Sequence, residues 1–229
     1  STSVIYKNGE AVYFNVDNGT KCTSSEAVST TGTKSGCMKF YTFNDDGGST
    51  INLILDHNTT ATVAWNSSGS VVNGPNEVLT QLKSDTDEWK GTITPSNYSN
   101  SKYTIDYRDY NARLITVNEI AKITGNTGFD ASKENQEWFY LDSNNQTQTA
   151  NATNKSKYAW LFDYTLGCTD YGCNVSDSSN WGYWTSTSYA GNSKVAWRVY
   201  RYGSLNDSYV TTDNLGVRPV ITISKSNIS

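Results

Sequence analysis

Short runs in which apolar and polar residues alternate dominate the first third of the chain. Residues 11–16, 38–43 and 51–55 show this two-residue period, which predicts β-strands with one buried face. Residues 44–48 (NDDGG) lie between the second and third runs and are turn-forming, so these two runs are predicted to form a hairpin. Residues 62–65 (TVAW) predict one more short strand.

Apolar residues at helical spacing predict a first helix after these strands. Pro75 suits the first helical position, because the N–H that it lacks has no partner there in any helix. Val78, Leu79 and Leu82 form the apolar face, and residues 87–89 are candidates for a further turn.

A second predicted helix has clearer boundaries. Thr116 and Glu119 stand three residues apart, which is the spacing of a capping box, where each side chain accepts a hydrogen bond from the other residue's backbone N–H. Ile120 and Ile123 give the apolar face, and Gly125 predicts the end of the helix.

The C-terminal third is rich in aromatic side chains. Residues 195–202 alternate as a half-buried strand, with Arg198, Tyr200 and Tyr202 on one face. A turn is predicted at residues 203–206. A final strand is predicted at residues 216–223, where Pro219 favours a sheet edge or a bulge. The tryptophans assigned to the core are Trp181, Trp184 and Trp197.

The composition is that of a nearly neutral, hydroxyl-rich chain. Of its 229 residues, 36% are hydrophobic, 13% are aromatic and 17% are charged, and the formal net charge is -4. The aromatic content argues against a disordered chain. The balance of 18 Lys+Arg against 22 Asp+Glu argues against a nucleic-acid partner. No apolar run in the sequence reaches the ~20 residues that a transmembrane helix needs. Extracellular β-rich proteins typically have such a composition.

Four cysteines allow three disulfide pairings. The short separations favour the local pairs, Cys22 with Cys37 and Cys168 with Cys173. Thiol or metal chemistry is the alternative, but a zinc site is disfavoured because His57 is the single histidine and no Cys-x-x-Cys motif occurs. Disulfides imply an oxidising, exported location.

An exported protein needs a targeting signal, and the sequence from Ser1 onward shows no apolar leader. We therefore expect that a signal peptide or a membrane-anchoring helix preceded Ser1 and was removed. The expected location is the cell surface or the extracellular space.

Four motifs follow one another in the C-terminal half. They are RLITxxEI at residues 113–120, YWTST at residues 183–187, AW at residues 196–197 and GVRPV at residues 216–220. Their order and spacing resemble the bacterial branch of the C-type-lectin-like fold, which includes formylglycine-generating enzymes and the variable proteins of diversity-generating retroelements. The resemblance covers about residues 38–224. The segment before it resembles the soluble part of a pilin-like or surface-anchored bacterial protein.

The resemblance implies an α+β fold of the C-type-lectin-like kind, with antiparallel strands and two helices, preceded by a short N-terminal β segment. Residues 1–37 are assigned to that N-terminal β segment with its disulfide, and residues 38–229 to the C-type-lectin-like domain. In this family a Gly-x-Arg strand closes the domain around an internal arginine, which implies these roles for Gly216 and Arg218. Structural roles are also implied for the pair Arg113 and Leu114.

In the variable proteins of this branch, the segment before the last strand displays the binding residues, and it maps to about residues 188–215. Its composition is that of a paratope, since Tyr gives contact area at low entropic cost while Ser and Asn adapt their hydrogen bonds. Retroelement mutagenesis alters adenines, and the codons of these residue types are reachable in that way. The predicted ligand-binding residues are Tyr189, Lys194, Arg198, Tyr200, Arg201, Tyr202, Asp207, Tyr209, Thr211 and Asp213.

These features predict an exported, non-enzymatic binding protein that displays a variable aromatic and polar surface for ligand recognition or adhesion. The expected ligand is a protein or a glycan. No nucleic acid, cofactor or metal is predicted, and a membrane is involved only through the expected N-terminal segment. The tripeptides Glu-Pro-Asn, Gln-Pro-Asp and Trp-Asn-Asp of calcium-dependent lectins do not occur in the sequence. The alternative is a structural pilin-like or surface-layer subunit without a specific ligand.

An enzyme, either formylglycine-generating-enzyme-like or glycan-processing, is less favoured. Formylglycine-generating enzymes rely on a reactive cysteine pair late in the chain, and no cysteine follows Cys173. A Ser-His-Asp hydrolase would need His57, which we interpret as a hydrogen-bonded surface residue. Two pairs of carboxylates are interpreted as solvated loop charges rather than glycosidase acids: Glu134 with Glu137, and Asp45 with Asp46.

Overall fold

A computed structural model describes residues 4–29, 34–59, 62–137, 139–140, 158–162, 180–200 and 203–229. Within these ranges helices combine with mainly antiparallel sheets, which confirms the predicted α+β class. The helices are α1 (Asn76–Thr86), α2 (Val117–Ile123) and the short α3 (Ala159–Phe162), which the sequence did not predict. The strands are β1 (Ala11–Asn15), β2 (Thr20–Lys21), β3 (Val28–Ser29), β4 (Cys37–Phe43), β5 (Thr50–Leu55), β6 (Tyr98–Ser99), β7 (Thr104–Ile105), β8 (Phe139–Tyr140), β9 (Gly182–Ser188), β10 (Val195–Tyr200), β11 (Ser204–Tyr209) and β12 (Val220–Ser224).

The first sheet joins strands from both ends of the chain. Its order is β12-β5-β4-β1-β2, and β3 pairs in parallel with β4. Strands β4 and β5 form the predicted hairpin, in which Tyr41 pairs with Ile54. The last strand, β12, lies at the end of the sheet order, as predicted, but it begins at Val220, directly after Pro219, and not at residue 216. The N-terminal strands β1–β3 therefore share one sheet with the C-terminal strand.

The second sheet has the order β8-β11-β10-β9 and contains the aromatic C-terminal strands. Strand β10 alternates between buried and half-buried residues over its second half, as predicted. The turn predicted at residues 203–206 is wrong in its extent, because Ser204 already pairs with Tyr200 and Asn206 with Arg198. The polar residues Ser204 and Asn206, which suggested a turn, therefore belong to β11.

Both sheets have a hydrophobic core on each face. In β5, Leu53 belongs to the first core and its neighbour Ile54 to the second. In β9, Trp184 belongs to the first core and Tyr183 to the second. Helix α1 contributes to the first core, whereas α2 and α3 contribute to the second. Successive strand residues point to opposite faces, so this arrangement buries nearly every position of a central strand.

The predicted helix boundaries are confirmed for α2 and partly wrong for α1. The capping box of α2 is present: the Glu119 N–H donates to Thr116 Oγ1 at 3.1 Å, and the Thr116 N–H donates to Glu119 Oε1 at 3.0 Å. Gly125 follows its end with φ 71°. In α1, however, Pro75 is the N-cap and the helix ends at Thr86. Residues 87–89 leave the helix because the buried Trp89 packs in the first core.

The strand predicted at residues 62–65 is wrong. Val63 alone forms a bridge, with Leu215. Two indole groups fix this segment instead of a ladder: Trp65 Nε1 donates to the Thr185 carbonyl at 3.0 Å, and Trp184 Nε1 donates to the Val63 carbonyl at 2.9 Å. The apolar residues that suggested a strand are used for packing against β9.

The disulfide between Cys22 and Cys37 is present and closes a loop with a sequence separation of 15, as predicted. The other predicted pair, Cys168 with Cys173, lies outside the described residues. Across the described part of the chain, no helix is long and apolar enough to pass through a bilayer. The Cys22–Cys37 disulfide is compatible with an exported location.

Arg218 is a fully buried arginine that joins three parts of the fold. Its guanidinium donates to the carbonyls of Leu55 at 2.6 Å and Asp56 at 3.2 Å, which follow one another at the end of β5. It also donates to the carbonyls of Trp160 at 2.6 Å and Leu161 at 3.0 Å in α3. A planar group with five donors can serve two pairs of carbonyls at once.

Gly216, two residues before this arginine, allows the Asn58 side chain to pack directly against the backbone. A Cβ at position 216 would lie 2.2 Å from Nδ2 of Asn58, a buried residue whose amide donates to the Gly182 carbonyl at 3.2 Å. Any larger residue at position 216 would therefore displace a buried polar side chain.

Candidate binding surface

The described members of the predicted ligand-binding set lie on the β10–β11 hairpin or close to it in sequence. Facing residues of an antiparallel pair project to the same side of the sheet. The register therefore places Arg198 with Asn206 on one face, and Trp197 with Asp207 on the other. The sequence did not reveal that the predicted residues are divided in this way.

On the first face, Arg198 and Tyr200 form a stack that we call the Arg198 cluster, made of Trp181, Arg198, Tyr200 and Asn206. The Arg198 guanidinium carbon lies 4.1 Å from the centre of the Tyr200 ring, and Arg198 Nε donates to Asn206 Oδ1 at 2.8 Å. The Trp181 and Tyr200 ring centres are 5.9 Å apart. All four residues are half-buried, whereas we expected Arg198 and Tyr200 to be exposed. The cluster offers a cation and aromatic edges from a fixed position.

On the second face, residues of β10, β11 and a distant loop surround a cavity of about 300 Å³ that we call the Trp197 cavity. Tyr189 packs against Trp197 with ring centres 5.2 Å apart, and its hydroxyl donates to the Gln136 carbonyl at 3.2 Å. Trp197 is 1% exposed, and its indole Nε1 has no hydrogen-bond partner. The cavity is lined by Asn135, Gln136, Glu137, Tyr189, Trp197 and Asp207.

The two faces carry opposite charge. The Arg198 cluster contains one cation, whereas the Trp197 cavity contains two carboxylates, Glu137 and Asp207, and no Lys or Arg among its described lining residues. Both carboxylates are exposed, and neither forms a hydrogen bond or an ion pair through its side chain in the described structure. A ligand of one charge would therefore be attracted to one face only.

The other described residues of the predicted set lie near the end of the hairpin where Val195 pairs with Tyr209. Tyr209 is 63% exposed and stands two residues from Asp207 on the same face. Lys194, Thr211 and Asp213 are also exposed. The backbone fixes this end firmly, because the Val210 N–H donates to the Lys194 carbonyl at 2.9 Å. Tyr202, predicted to share the first face with Arg198 and Tyr200, and Arg201, predicted for the second face, both lie outside the described residues.

Sequence reasoning missed Trp197 and the loop at residues 135–137 as parts of the binding surface. Trp197 was assigned to the core, and it is buried as expected, yet it also lines the cavity. The loop is about sixty positions away in sequence, so no local pattern connects it to β10. Asn135 adopts φ 62° in this loop, and the carbonyl of the next residue, Gln136, accepts the hydrogen bond from the Tyr189 hydroxyl. That the Trp197 indole N–H lacks a hydrogen-bond partner could not be predicted from the sequence, because it depends on all the groups that surround the ring in the fold.

The residues considered for an enzyme fall into other environments. His57 is fully buried, which contradicts its interpretation as a surface residue. Its Nδ1 lies 3.4 Å from Asp56 Oδ2, and its Nε2 has no hydrogen-bond partner. The Asp45 side chain is 1% exposed and pairs with Lys225 at 2.9 Å, so Asp45 is not a solvated loop charge, whereas Asp46 is exposed, as interpreted. Glu134 and Glu137 are exposed, as interpreted.

The pKa values of two buried carboxyl groups are lowered. Burial alone would raise the pKa of Asp56, but hydrogen bonds from His57 and Tyr41 and the positive charge of Arg218 outweigh it and lower the pKa below its usual value. The pKa of Asp45 is lowered in the same way: burial opposes the shift, and backbone N–H groups and Lys225 outweigh burial. Both groups are held ionised inside the fold, where they stabilise it rather than exchange protons with a ligand.

One group of side chains in the described ranges could converge on a metal ion, formed by Cys22, Glu26 and Cys37. Both sulfur atoms are joined in the disulfide, so they cannot act as thiolate ligands. The Glu26 carboxylate accepts hydrogen bonds from Asn15 Nδ2 and from the Thr23 N–H. The oxidised protein therefore has no free ligand set at this place.

A groove of about 410 Å³ lies beside the start of α2. Its arginine, Arg113, forms a two-pronged ion pair with Glu119, with distances of 2.6 and 2.8 Å. Burial alone would lower the pKa of Arg113, but the Glu119 carboxylate outweighs burial and raises the pKa above its usual value. Both partners are saturated by each other, which gives Arg113 a structural role and leaves the groove without an available charge.

A family model for a domain of unknown function, DUF6273, matches residues 86–225, which is more than half of the chain. The chain belongs to the DUF6273 family. Comparisons with curated proteins and with solved structures found no match.

The DUF6273 match contains every element from β6 to β12, and therefore the whole β10–β11 hairpin. It excludes β1–β5 and nearly all of α1. The last strand of the match, β12, nevertheless pairs with β5, and Arg218 within the match donates to carbonyls at the end of β5. In this chain the DUF6273 segment thus completes its first sheet with strands from outside the matched residues.

Proposed function

We propose that this protein is an exported, non-enzymatic binding protein that adopts a C-type-lectin-like fold and displays the β10–β11 hairpin for ligand recognition or adhesion. We also propose that it is a variable protein of the diversity-generating-retroelement type, a group whose binding residues occupy the segment that corresponds to this hairpin. It assigns the ligand contacts to the Arg198 cluster, the Trp197 cavity and the exposed end of the hairpin.

Two features of the fold support the C-type-lectin-like assignment. The resemblance implies a Gly-x-Arg strand that closes the domain around an internal arginine, and Arg218 is fully buried beside the closely packed Gly216. It also implies structural roles for Arg113 and Leu114. Arg113 pairs with Glu119 at the start of α2, and Leu114 is 1% exposed.

The observation that carries the binding proposal is the Arg198 cluster. Arg198 and Tyr200 are stacked 4.1 Å apart and partly open to solvent, while their neighbours Trp197 and Val199 anchor the strand in the second core. Aromatic and arginine side chains held rigidly on a buried strand lose little entropy when they contact a partner. Such residues dominate the free energy of binding at protein interfaces.

The proposal is tested by comparing the gene among related isolates. We expect substitutions to concentrate at adenine-containing codons of the open hairpin positions 198, 200, 206–209, 211 and 213. The buried positions Val195, Trp197 and Leu205 should stay constant, because a change there would leave a cavity in a core. The β4–β5 hairpin provides the matched control, since it has similar strands and no proposed ligand.

Substitutions that are spread equally over both hairpins would refute the retroelement part of the proposal. The structural-subunit alternative would replace the binding proposal if the purified protein formed filaments in which Tyr209 became protected from solvent. Tyr209 is 63% exposed in the single chain, so its protection is measurable by chemical labelling.

A further inference from the structure

We propose that the Trp197 cavity binds an arginine side chain of a peptide or protein partner. This inference rests on the proposed binding function and names the ligand chemistry of one of its surfaces. The ligand guanidinium would pair with the carboxylates of Glu137 and Asp207, and a backbone carbonyl of the same ligand residue would accept the Trp197 indole N–H.

The first observation is the unpaired donor. Trp197 is 1% exposed and its Nε1 has no hydrogen-bond partner, although buried indole N–H groups nearly always find one. The other buried indoles with a described partner, Trp65, Trp89 and Trp184, all donate to backbone carbonyls. A carbonyl acceptor brought by a ligand would complete Trp197 in the same way.

The second observation is the uncompensated negative charge. Glu137 and Asp207 both line the cavity, and neither side chain has a hydrogen-bond or ion-pair partner in the described structure. The described lining contains no basic residue. A cation is therefore the ligand charge that the cavity attracts, whereas a neutral sugar would leave both carboxylates uncompensated and an acidic sugar would be repelled.

The aromatic rings and carboxylates that line the cavity favour a guanidinium over an ammonium group. A guanidinium is planar, stacks on aromatic rings and donates through a fork that matches carboxylates. The opposite face of the same hairpin shows this chemistry within the chain, where Arg198 stacks 4.1 Å from the Tyr200 ring and donates to the Asn206 side chain. In the Trp197 cavity the rings and the acceptors are present, and the cation would come from the partner.

Access to the indole requires a neighbouring ring to move. Tyr189 is half-buried and covers Trp197, with ring centres 5.2 Å apart. A single hydrogen bond from its hydroxyl to the Gln136 carbonyl, at 3.2 Å, fixes its outer end. We therefore expect binding to change the environments of Tyr189 and Trp197 together.

The test is a titration of the ¹⁵N-labelled protein followed by nuclear magnetic resonance. The probe is N-acetyl-arginine N-methylamide, and its matched control is N-acetyl-citrulline N-methylamide, which has nearly the same shape without the charge. The arginine probe should shift the Trp197 indole N–H signal, which is identified by its absence from the Trp197→Phe spectrum. A complete resonance assignment of the unmodified protein identifies the signal if Trp197→Phe does not fold.

We expect citrulline to bind at least about tenfold more weakly than arginine, because a hydrogen-bonded charge pair is worth more than a neutral hydrogen bond. Asp207→Asn and Glu137→Gln should each weaken the arginine probe by about tenfold and reduce its advantage over citrulline. Asp109→Asn is the control variant: it removes an exposed charge that belongs neither to the cavity lining nor to the proposed binding surface, and it should leave both probes unchanged.

Equal binding of the two probes would overturn the inference, as would the absence of any Trp197 shift at millimolar arginine probe. A shift caused by glucose, galactose or N-acetylglucosamine but not by the arginine probe would also overturn it, while leaving the proposed binding function intact. Conversely, an Asp207-dependent arginine site combined with evenly scattered substitutions in related genes would preserve the cavity and refute the retroelement part of the proposed function.

Discussion

Replacing Arg218 with lysine should destabilise the fold strongly, although it conserves the charge. Arg218 donates to two carbonyls at the end of β5, those of Leu55 and Asp56, and to two in α3, those of Trp160 and Leu161. An ammonium group has a single nitrogen and cannot reach both pairs. Arg218→Lys would therefore leave at least two buried carbonyls without their charged donor.

The size of the effect follows from these lost bonds. A hydrogen bond that involves a charged group contributes about 1.5–3 kcal/mol to stability, so losing two of them costs about 3–6 kcal/mol. That is a large share of the ~5–15 kcal/mol by which a domain is usually stable. At about 2–4 °C per kcal/mol for a chain of this size, the melting temperature should fall by about 6 °C or more.

Thermal unfolding followed by tryptophan fluorescence and by calorimetry measures this fall. Arg108→Lys is the matched control, because the Arg108 side chain is 82% exposed and pairs only at the surface, with Asp106 at 2.7 Å. A surface pair contributes about 1 kcal/mol at most, so the control should hardly change the melting temperature. Equal and small effects of the two substitutions would show that Arg218 does not hold β5 and α3 together.

Two further predictions concern the disulfide and the buried carboxylate. Replacing both Cys22 and Cys37 with serine should lower the free energy of unfolding by about 3 kcal/mol, measured by urea denaturation, because the unfolded chain regains the freedom of a loop of this length; an unchanged midpoint would contradict this. The pKa of Asp56 is lowered in the folded state. The contribution of ionised Asp56 to the free energy of unfolding is therefore fully present above the unfolded pKa of about 3.9, and it is lost as the pH falls through the lower folded pKa. The difference in unfolding free energy between the protein and Asp56→Asn should thus shrink below about pH 4, and a difference that stays constant down to about pH 2 would refute the assignment.

Elements defined by local chemistry could be predicted from the sequence. The α2 capping box needs only Thr116 and Glu119, which are three residues apart. The β4–β5 hairpin needs the turn-forming residues 44–48 between two alternating runs. The Cys22–Cys37 disulfide follows from a short separation. In each case the interacting residues are close enough in sequence for the pattern to contain the whole interaction.

Elements defined by distant contacts could not be predicted. Residues 62–65 have the composition of a strand, but their position depends on indole hydrogen bonds between this segment and β9. His57 is fully buried beside its neighbour Asp56, and Arg218 reaches the Asp56 carbonyl from a distant part of the sequence. Its position at the end of a predicted strand suggested a surface residue, and the local sequence does not contain the contact with Arg218.

The candidate site shows the same division. Alternation along β10 placed Arg198 and Tyr200 on one face, and the structure brings them together. The sequence pattern does not contain the pairing register of β10 with β11. The sequence analysis therefore did not place Asp207 and Tyr209 on the opposite face from Arg198 and Tyr200. The acidic cavity on the second face depends on a loop about sixty positions away, and it was therefore missed altogether.

The packing of both faces of the second sheet limits how the hairpin could be re-engineered. In β10, Arg198 and Tyr200 are the positions that are not buried, whereas β11 offers the consecutive positions 206–209. A combinatorial library directed at this region should therefore randomise two alternate sites on one strand and a short block on the other. Randomising the whole segment would yield mostly unfolded clones, so the usable diversity is set by the pattern of open positions and not by the length of the segment.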